Sequence, residues 1–77
     1  MDLFHEIPDA TAILRQRGGV YRQVKVYRRG EQVYVAAKGG YVRVLKAFGD
    51  QWGTSNPDTT VIGLTASVAS MIADRPL

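Results

Sequence analysis

The sequence contains no cysteine, which excludes disulfide bonds and thiolate metal sites. It has a single histidine, His5, whereas a zinc site needs three or four ligands at suitable spacing. No apolar run approaches the about 18 residues that cross a bilayer. We therefore expect no cofactor, no metal ion and no membrane contact.

Catalytic motifs are also missing from the 77 residues, which are 45% hydrophobic and 22% charged and resemble an ordinary globular domain in composition. No nucleophile motif is recognisable, and the pairs Gly18-Gly19 and Gly39-Gly40 lack the lysine and hydroxyl residue of a phosphate-binding loop. A chain of this length has room for one small domain, residues 1–77. We therefore predict a single-domain binding protein that is not an enzyme.

The net charge of +3 conceals an uneven distribution. Nine of the ten basic residues lie between Arg15 and Lys46, where Glu31 is the single acid, and the other six acids flank this stretch. Such a basic centre favours an acidic partner. The acidic start, with Asp2 and Glu6, lacks the basic residues of a signal peptide, so we expect a cytoplasmic location.

The N-terminal segment has apolar residues at helical spacing. Ile7, Ala10 and Ile13-Leu14 recur every three or four residues, which predicts a helix over residues 8–17. Pro8 is compatible with a first helical position, and Gly18-Gly19 would end the helix.

From Val20 to Phe48 the apolar period changes to two, which predicts three antiparallel strands. Two-residue turns at Arg29-Gly30 and Gly39-Gly40 would connect them into a meander. In that register Val24, Val35 and Val44 are neighbours across the three strands. The valines lie on one face of the sheet, and all four tyrosines lie on the other.

We expect residues 49–58 to form a loop, with Trp52 as its apolar anchor at the edge of the core. Within this loop, Asn56-Pro57-Asp58 is typical of a turn. The β-branched residues 59–62 predict a fourth strand. A short C-terminal helix follows, capped by Thr65, with Val68, Met71 and Ile72 as its apolar stripe and Arg75-Pro76 at its end. The predicted fold is α+β: a small antiparallel meander of three to four strands, with an N-terminal helix and a short C-terminal helix on the valine face.

The tyrosine face is the candidate binding site because its rings alternate with basic side chains. Aromatic rings stack on bases and basic groups bind phosphates, so this pattern favours a nucleic acid or a nucleoprotein as the partner. The candidate residues are Tyr21, Lys25, Tyr27, Arg28, Arg29, Tyr34, Lys38, Tyr41 and Arg43.

Three other interpretations of the same residues remain open. The face can be an ordinary solvated or helix-covered sheet surface, because tyrosine is a good strand former. It can bind a bacterial host protein, because Tyr and Arg are enriched at interface hot spots. A homodimer can also form through strand 41–48 if residues 59–62 leave that edge open.

Three segments of the chain resemble small accessory proteins of tailed bacteriophages and prophages. They are the runs Gly19 to Tyr27, Gly39 to Val44 and Trp52 to Asp58, and the resemblance spans about residues 19–64. Such proteins are mostly non-enzymatic binders, including regulators of nucleic-acid transactions and anti-CRISPR inhibitors of host defence. The resemblance implies a phage-type binding protein in the bacterial cytoplasm, and it carries over no catalytic residue.

Overall fold

The computed structural model describes residues 3–37, 39–48 and 51–73, and these form six strands and one helix. The elements are β1 (His5–Gln16), β2 (Val20–Arg29), β3 (Gln32–Ala37), β4 (Gly40–Phe48), β5 (Gln51–Thr54), β6 (Thr59–Leu64) and α1 (Ala66–Ala73).

The six strands close into an antiparallel barrel in which each strand pairs with the next in the chain and β6 pairs with β1. The predicted α+β fold is therefore wrong. An open meander of three or four strands would leave two edges with unpaired backbone groups, whereas closure of six strands removes both.

The N-terminal segment is a strand, and the prediction of a helix over residues 8–17 is wrong. Ala10, Ala12 and Leu14 face the interior at period two, and Thr11 and Ile13 alternate with them on the outside. A bulge lies at the start of this run, because Glu6 pairs with Tyr27 and Thr11 with Lys25, so the four residues 7–10 lie opposite one residue of β2. The three extra residues break the alternation and produce the spacing that resembles a helix.

The bulge residues explain why Pro8 is tolerated within a strand. Proline cannot donate a ladder hydrogen bond and is found in sheets mainly at edges and bulges. The next residue, Asp9, has a φ of 60°, a left-handed conformation in which Asp is enriched. Gly18 and Gly19, predicted to cap a helix, form the turn of the β1–β2 hairpin, where the Gly19 N–H donates to the Gln16 carbonyl at 3.1 Å.

Strands β2, β3 and β4 form the predicted meander with a shifted register. Arg29 pairs with Gln32 and Ala37 pairs with Gly40, so the first turn is Gly30-Glu31 and the second includes Gly39. Gly30 and Gly39 have φ values of 59° and 90°, which glycine adopts without steric cost.

The observed register differs from the predicted one by two residues in each pair of strands. Because side chains alternate between the faces of a sheet at every residue, a shift of two leaves each side chain on the predicted face. Val26, Val33, Val35 and Val44 are buried inside the barrel, and all four tyrosines lie on the outside. The sheet closes around the valine face, and of the two helices predicted to cover it only the C-terminal helix is present and packs on this core.

The segment predicted as a loop over residues 49–58 contains β5, which pairs with β4 and β6. Trp52 packs against the buried core as expected, but from a strand. The turn at Asn56-Pro57-Asp58 is confirmed: the Thr59 N–H donates to the Asn56 carbonyl, and Asn56 Oδ1 accepts the Asp58 N–H, both at 3.0 Å.

The predicted fourth strand is present as β6, extends to Leu64 and lies between β5 and β1. Strand β4 therefore pairs with β3 on one side and β5 on the other. The edge on which the predicted homodimer depends is occupied by β5.

The C-terminal helix packs on the core as predicted, with Val68 fully buried and Met71 and Ile72 against it. Thr65 precedes the helix, and its carbonyl accepts the N–H groups of Val68 and Ala69. The Thr65 hydroxyl does not cap the helix. Its oxygen, Oγ1, accepts the Thr11 N–H at 2.9 Å, and the hydroxyl donates to the Thr11 carbonyl at 3.2 Å.

The predicted helix end at Arg75-Pro76 lies outside the described residues. Within the part of the chain that the structure describes, no helix is long and apolar enough to span a membrane.

We predict that Gly30→Ala lowers the free energy of unfolding by about 1–2 kcal/mol, because an L side chain is strained in the left-handed conformation. Gly30→Asn should lose less, because Asn tolerates positive φ. Urea denaturation measures both. Equal stability of Gly30→Ala and the parent chain would contradict this turn geometry.

We predict that Thr65→Val destabilises the protein by about 1 kcal/mol and accelerates hydrogen exchange of the Thr11 amide, because the two hydrogen bonds of the Thr65 hydroxyl are lost and only the backbone bond from the Thr65 N–H to the Thr11 carbonyl remains. Thr65→Ser keeps the hydroxyl and is the matched control. If Thr65→Val and Thr65→Ser behave alike in denaturation and exchange, the hydroxyl does not join the helix start to β1.

Candidate functional site

Four aromatic rings meet on the outside of the barrel, and we call Phe4, Tyr27, Tyr34 and Tyr41 the aromatic cluster. The Phe4 ring stacks on Tyr41 with centroids 3.9 Å apart and an interplanar angle of 12°. Tyr34 meets Phe4 edge to face at 4.8 Å, and Tyr27 meets Tyr41 in the same way at 5.0 Å. The two edge-to-face contacts are an arrangement that aromatic pairs prefer, and the Phe4–Tyr41 stack is closer than the about 4.5–7 Å usual for such pairs.

The alternation of the strands positions the three tyrosines. Tyr27 and Tyr34 are direct cross-strand partners on β2 and β3, so their side chains project side by side. Tyr41, on β4, has the small Ala36 as its partner on β3. A methyl group at that position leaves space above β3 in which the larger rings can meet.

Phe4 was not among the predicted site residues. It precedes β1 and reaches the outer face of β3 and β4, which lie far from it in sequence. Nothing in its local sequence marks this contact. If the period-two alternation of β1 is recognised, the N-terminal segment is predicted as a strand next to β2, and Phe4 then lies near the tyrosines.

Basic groups surround the aromatic cluster. The Arg29 guanidinium carbon lies 5.3 Å from the Phe4 ring centroid, within the range of a cation–π contact. Arg43 is exposed and is the cross-strand partner of Tyr34. Lys25 is exposed on the outer side of β2, where its Nζ lies 3.5 Å from Glu6 Oε1.

Two other predicted residues, Tyr21 and Arg28, lie apart from the aromatic cluster. Tyr21 is 60% exposed near the opposite end of β2, across from Arg15. Arg28 is the cross-strand partner of the buried Val33 and therefore occupies an inward-facing position. It lies at the end of the barrel, beside His5 and Met71. Lys38 lies outside the described residues. The structure thus brings together six of the nine predicted residues, namely Lys25, Tyr27, Arg29, Tyr34, Tyr41 and Arg43.

The chemistry available at this face is stacking and charge. Within the described ranges, no group of three or more metal-ligating side chains is close enough to hold an ion. The aromatic cluster offers flat rings, of which Tyr41 is 45% exposed, with guanidinium groups beside them. Such a surface can bind a planar group that carries negative charge.

Comparisons of the chain with family models, with curated proteins and with solved structures return no match. The similarity to small accessory proteins of tailed phages therefore stays a prediction from residues 19–64.

Proposed function

We propose that this chain is a non-enzymatic, phage-type accessory protein of the bacterial cytoplasm that binds single-stranded nucleic acid, alone or within a nucleoprotein, through the aromatic cluster. The observation that carries the proposal is the Phe4 ring stacked on Tyr41 beside the Arg29 guanidinium. Proteins that bind single strands without strict sequence preference combine such rings with basic side chains.

The Phe4–Tyr41 stack supports the proposal because it shows that Tyr41 accepts a flat ring. The two rings lie nearly parallel, at an interplanar angle of 12°, and bases also stack on aromatic side chains. In this proposal Phe4 occupies the stacking position in the unbound protein, and a base that binds replaces its ring.

The replacement is energetically feasible. An aromatic pair contributes about 0.5–1.5 kcal/mol beyond the area it buries. A base stacked on an aromatic side chain contributes about 1–3 kcal/mol. Phe4 also gives up its edge-to-face contact with Tyr34 and its contact with Arg29. The base stack therefore offsets part of the loss, and phosphate contacts supply the rest.

The surrounding charges supply those phosphate contacts. Arg29 and Arg43 are exposed beside the aromatic cluster, and guanidinium groups match the geometry of phosphate oxygens. Lys25 can exchange Glu6 for a phosphate at little cost, because exposed ion pairs contribute little. Binding should then weaken steeply with salt, as in other complexes with single strands.

We predict that Tyr41→Ala weakens binding of fluorescent single-stranded DNA or RNA by about 5- to 150-fold, the equivalent of one lost base stack. Fluorescence anisotropy at low salt measures the dissociation constant. Tyr21→Ala removes a tyrosine outside the aromatic cluster and should change the constant less. The absence of binding, or equal losses in the two variants, would contradict the proposal.

We predict that Phe4→Ala strengthens the same binding by about fivefold or more, because the variant no longer has to release two aromatic contacts, each worth about 0.5–1.5 kcal/mol. The comparison variant is Leu3→Ala, which removes an exposed apolar side chain next to Phe4. Weaker binding of Phe4→Ala would show that Phe4 is not an occupant that the base replaces.

A second candidate function is docking on a bacterial host protein, as in inhibitors of host defence. The observation that favours it is the contact of the four rings with one another, which makes a preformed aromatic surface with an arginine beside it. Tyr and Arg dominate such hot spots. Capture from bacterial lysate with and without nuclease separates the two candidates, because a protein partner is retained after nuclease treatment and a nucleic-acid tether is not.

A further inference from the structure

One end of the barrel carries an open groove where the β1–β2 and β5–β6 turns meet. Its volume is about 450 Å³, and Arg17, Arg22, Asp58, Asn56 and Val20 contribute to its walls. This volume lies within the range of small-molecule sites. The groove is formed from inward-facing and turn positions, whereas the aromatic cluster lies on the outer face.

Arg22 is an unusual residue for its position in the barrel. Its cross-strand partner is Leu14, whose side chain is fully buried, so Arg22 occupies an inward-facing position next to the end of β2. The Arg22 side chain is exposed, and it forms no ion pair with any described carboxylate. The Arg22 guanidinium therefore lies at the open end of the barrel. An apolar side chain at the same position would instead extend the buried core.

A second guanidinium at the groove is held only weakly. Arg17 Nη1 lies 3.9 Å from Asp58 Oδ2, and the two side chains are 85% and 57% exposed. An ion pair so long and so exposed contributes little to stability. Arg17 can therefore exchange the Asp58 carboxylate for an anion in the groove, where it would act together with Arg22.

The other groups at the groove define the ligand more closely. Asn56 Oδ1 accepts the Asp58 N–H at 3.0 Å, which leaves the Asn56 amide nitrogen as a donor. Val20, 52% exposed, adds an apolar wall. The groove therefore combines donors for a tetrahedral anion with an apolar surface, and it is larger than an inorganic ion requires.

We propose that this groove binds the phosphate group of a nucleotide, with Arg17 and Arg22 on the phosphate oxygens and Val20 against the sugar or base. Guanidinium groups bind phosphate through paired hydrogen bonds, which makes arginine the common residue at such sites. The nucleotide can be free or can be the phosphorylated end of a strand. Both sources present the same chemistry to the groove.

The test is a titration of the whole chain, followed by NMR amide shifts, with adenosine monophosphate and with adenosine as the uncharged comparison. A 5′-phosphorylated oligonucleotide and its unphosphorylated form make up the second arm. We expect the phosphorylated member of at least one pair to bind at Arg17, Arg22 and Asn56 and its partner not to bind there. Saturation by the mononucleotide identifies a free nucleotide, and binding only of the phosphorylated strand identifies a strand end.

The variants separate the groove from general basic charge. Arg22→Ala should weaken phosphate binding by at least about tenfold, the effect of one charge-assisted hydrogen bond. Asp58→Asn should strengthen it, because the competing carboxylate is gone. Arg28→Ala is the matched control, since Arg28 lies on the same inward-facing side of β2 at the other end of the barrel.

The inference is overturned if no phosphorylated ligand binds at the groove, if Arg28→Ala weakens binding as much as Arg22→Ala, or if Asp58→Asn weakens binding. Thermal unfolding of each variant verifies that it is folded. Because the mononucleotide arm uses no oligonucleotide, its result does not depend on the single-strand proposal.

Discussion

The pairing of β1 with β6 closes the sheet, and the other features of the molecule depend on it. Closure gives the buried side chains Leu14, Val26, Val35 and Val61 a common interior, to which the helix adds the fully buried Val68. It also pairs the strand edges that an open sheet of this size would expose. Thr65 extends the same contact beyond β6 through three hydrogen bonds to Thr11, two made by its hydroxyl and one donated by its N–H, so the start of the helix is joined to β1.

A closed barrel also determines which side chains are available for function. Side chains at alternate positions of each strand must face outward, and on β2, β3 and β4 these positions include the tyrosines. Phe4, which precedes β1, completes the aromatic cluster on that outer surface. Inward-facing positions near the strand ends can carry charge only where the barrel opens, as Arg22 and Arg28 do at opposite ends.

The amino-acid sequence alone predicts local alternation well and long-range pairing poorly. The valines and tyrosines of β2, β3 and β4 alternate so regularly that a register error left their faces correct. In β1 the bulge before Thr11 concealed the alternation, and β5 has only four residues, one of them a glycine, which is too short a run to stand out as a strand. The β1–β6 closure and the position of Phe4 arise from tertiary contacts, for which the local sequence carries no signal.

In the proposed complex a base takes the place of Phe4 on Tyr41. NMR spectra of the protein with single-stranded oligonucleotide test this exchange through nuclear Overhauser effects between ring protons. If the base replaces Phe4, the effect between Phe4 and Tyr41 disappears on saturation and effects between base protons and Tyr41 appear. Saturation of the protein by oligonucleotide with the Phe4–Tyr41 effect unchanged would contradict it.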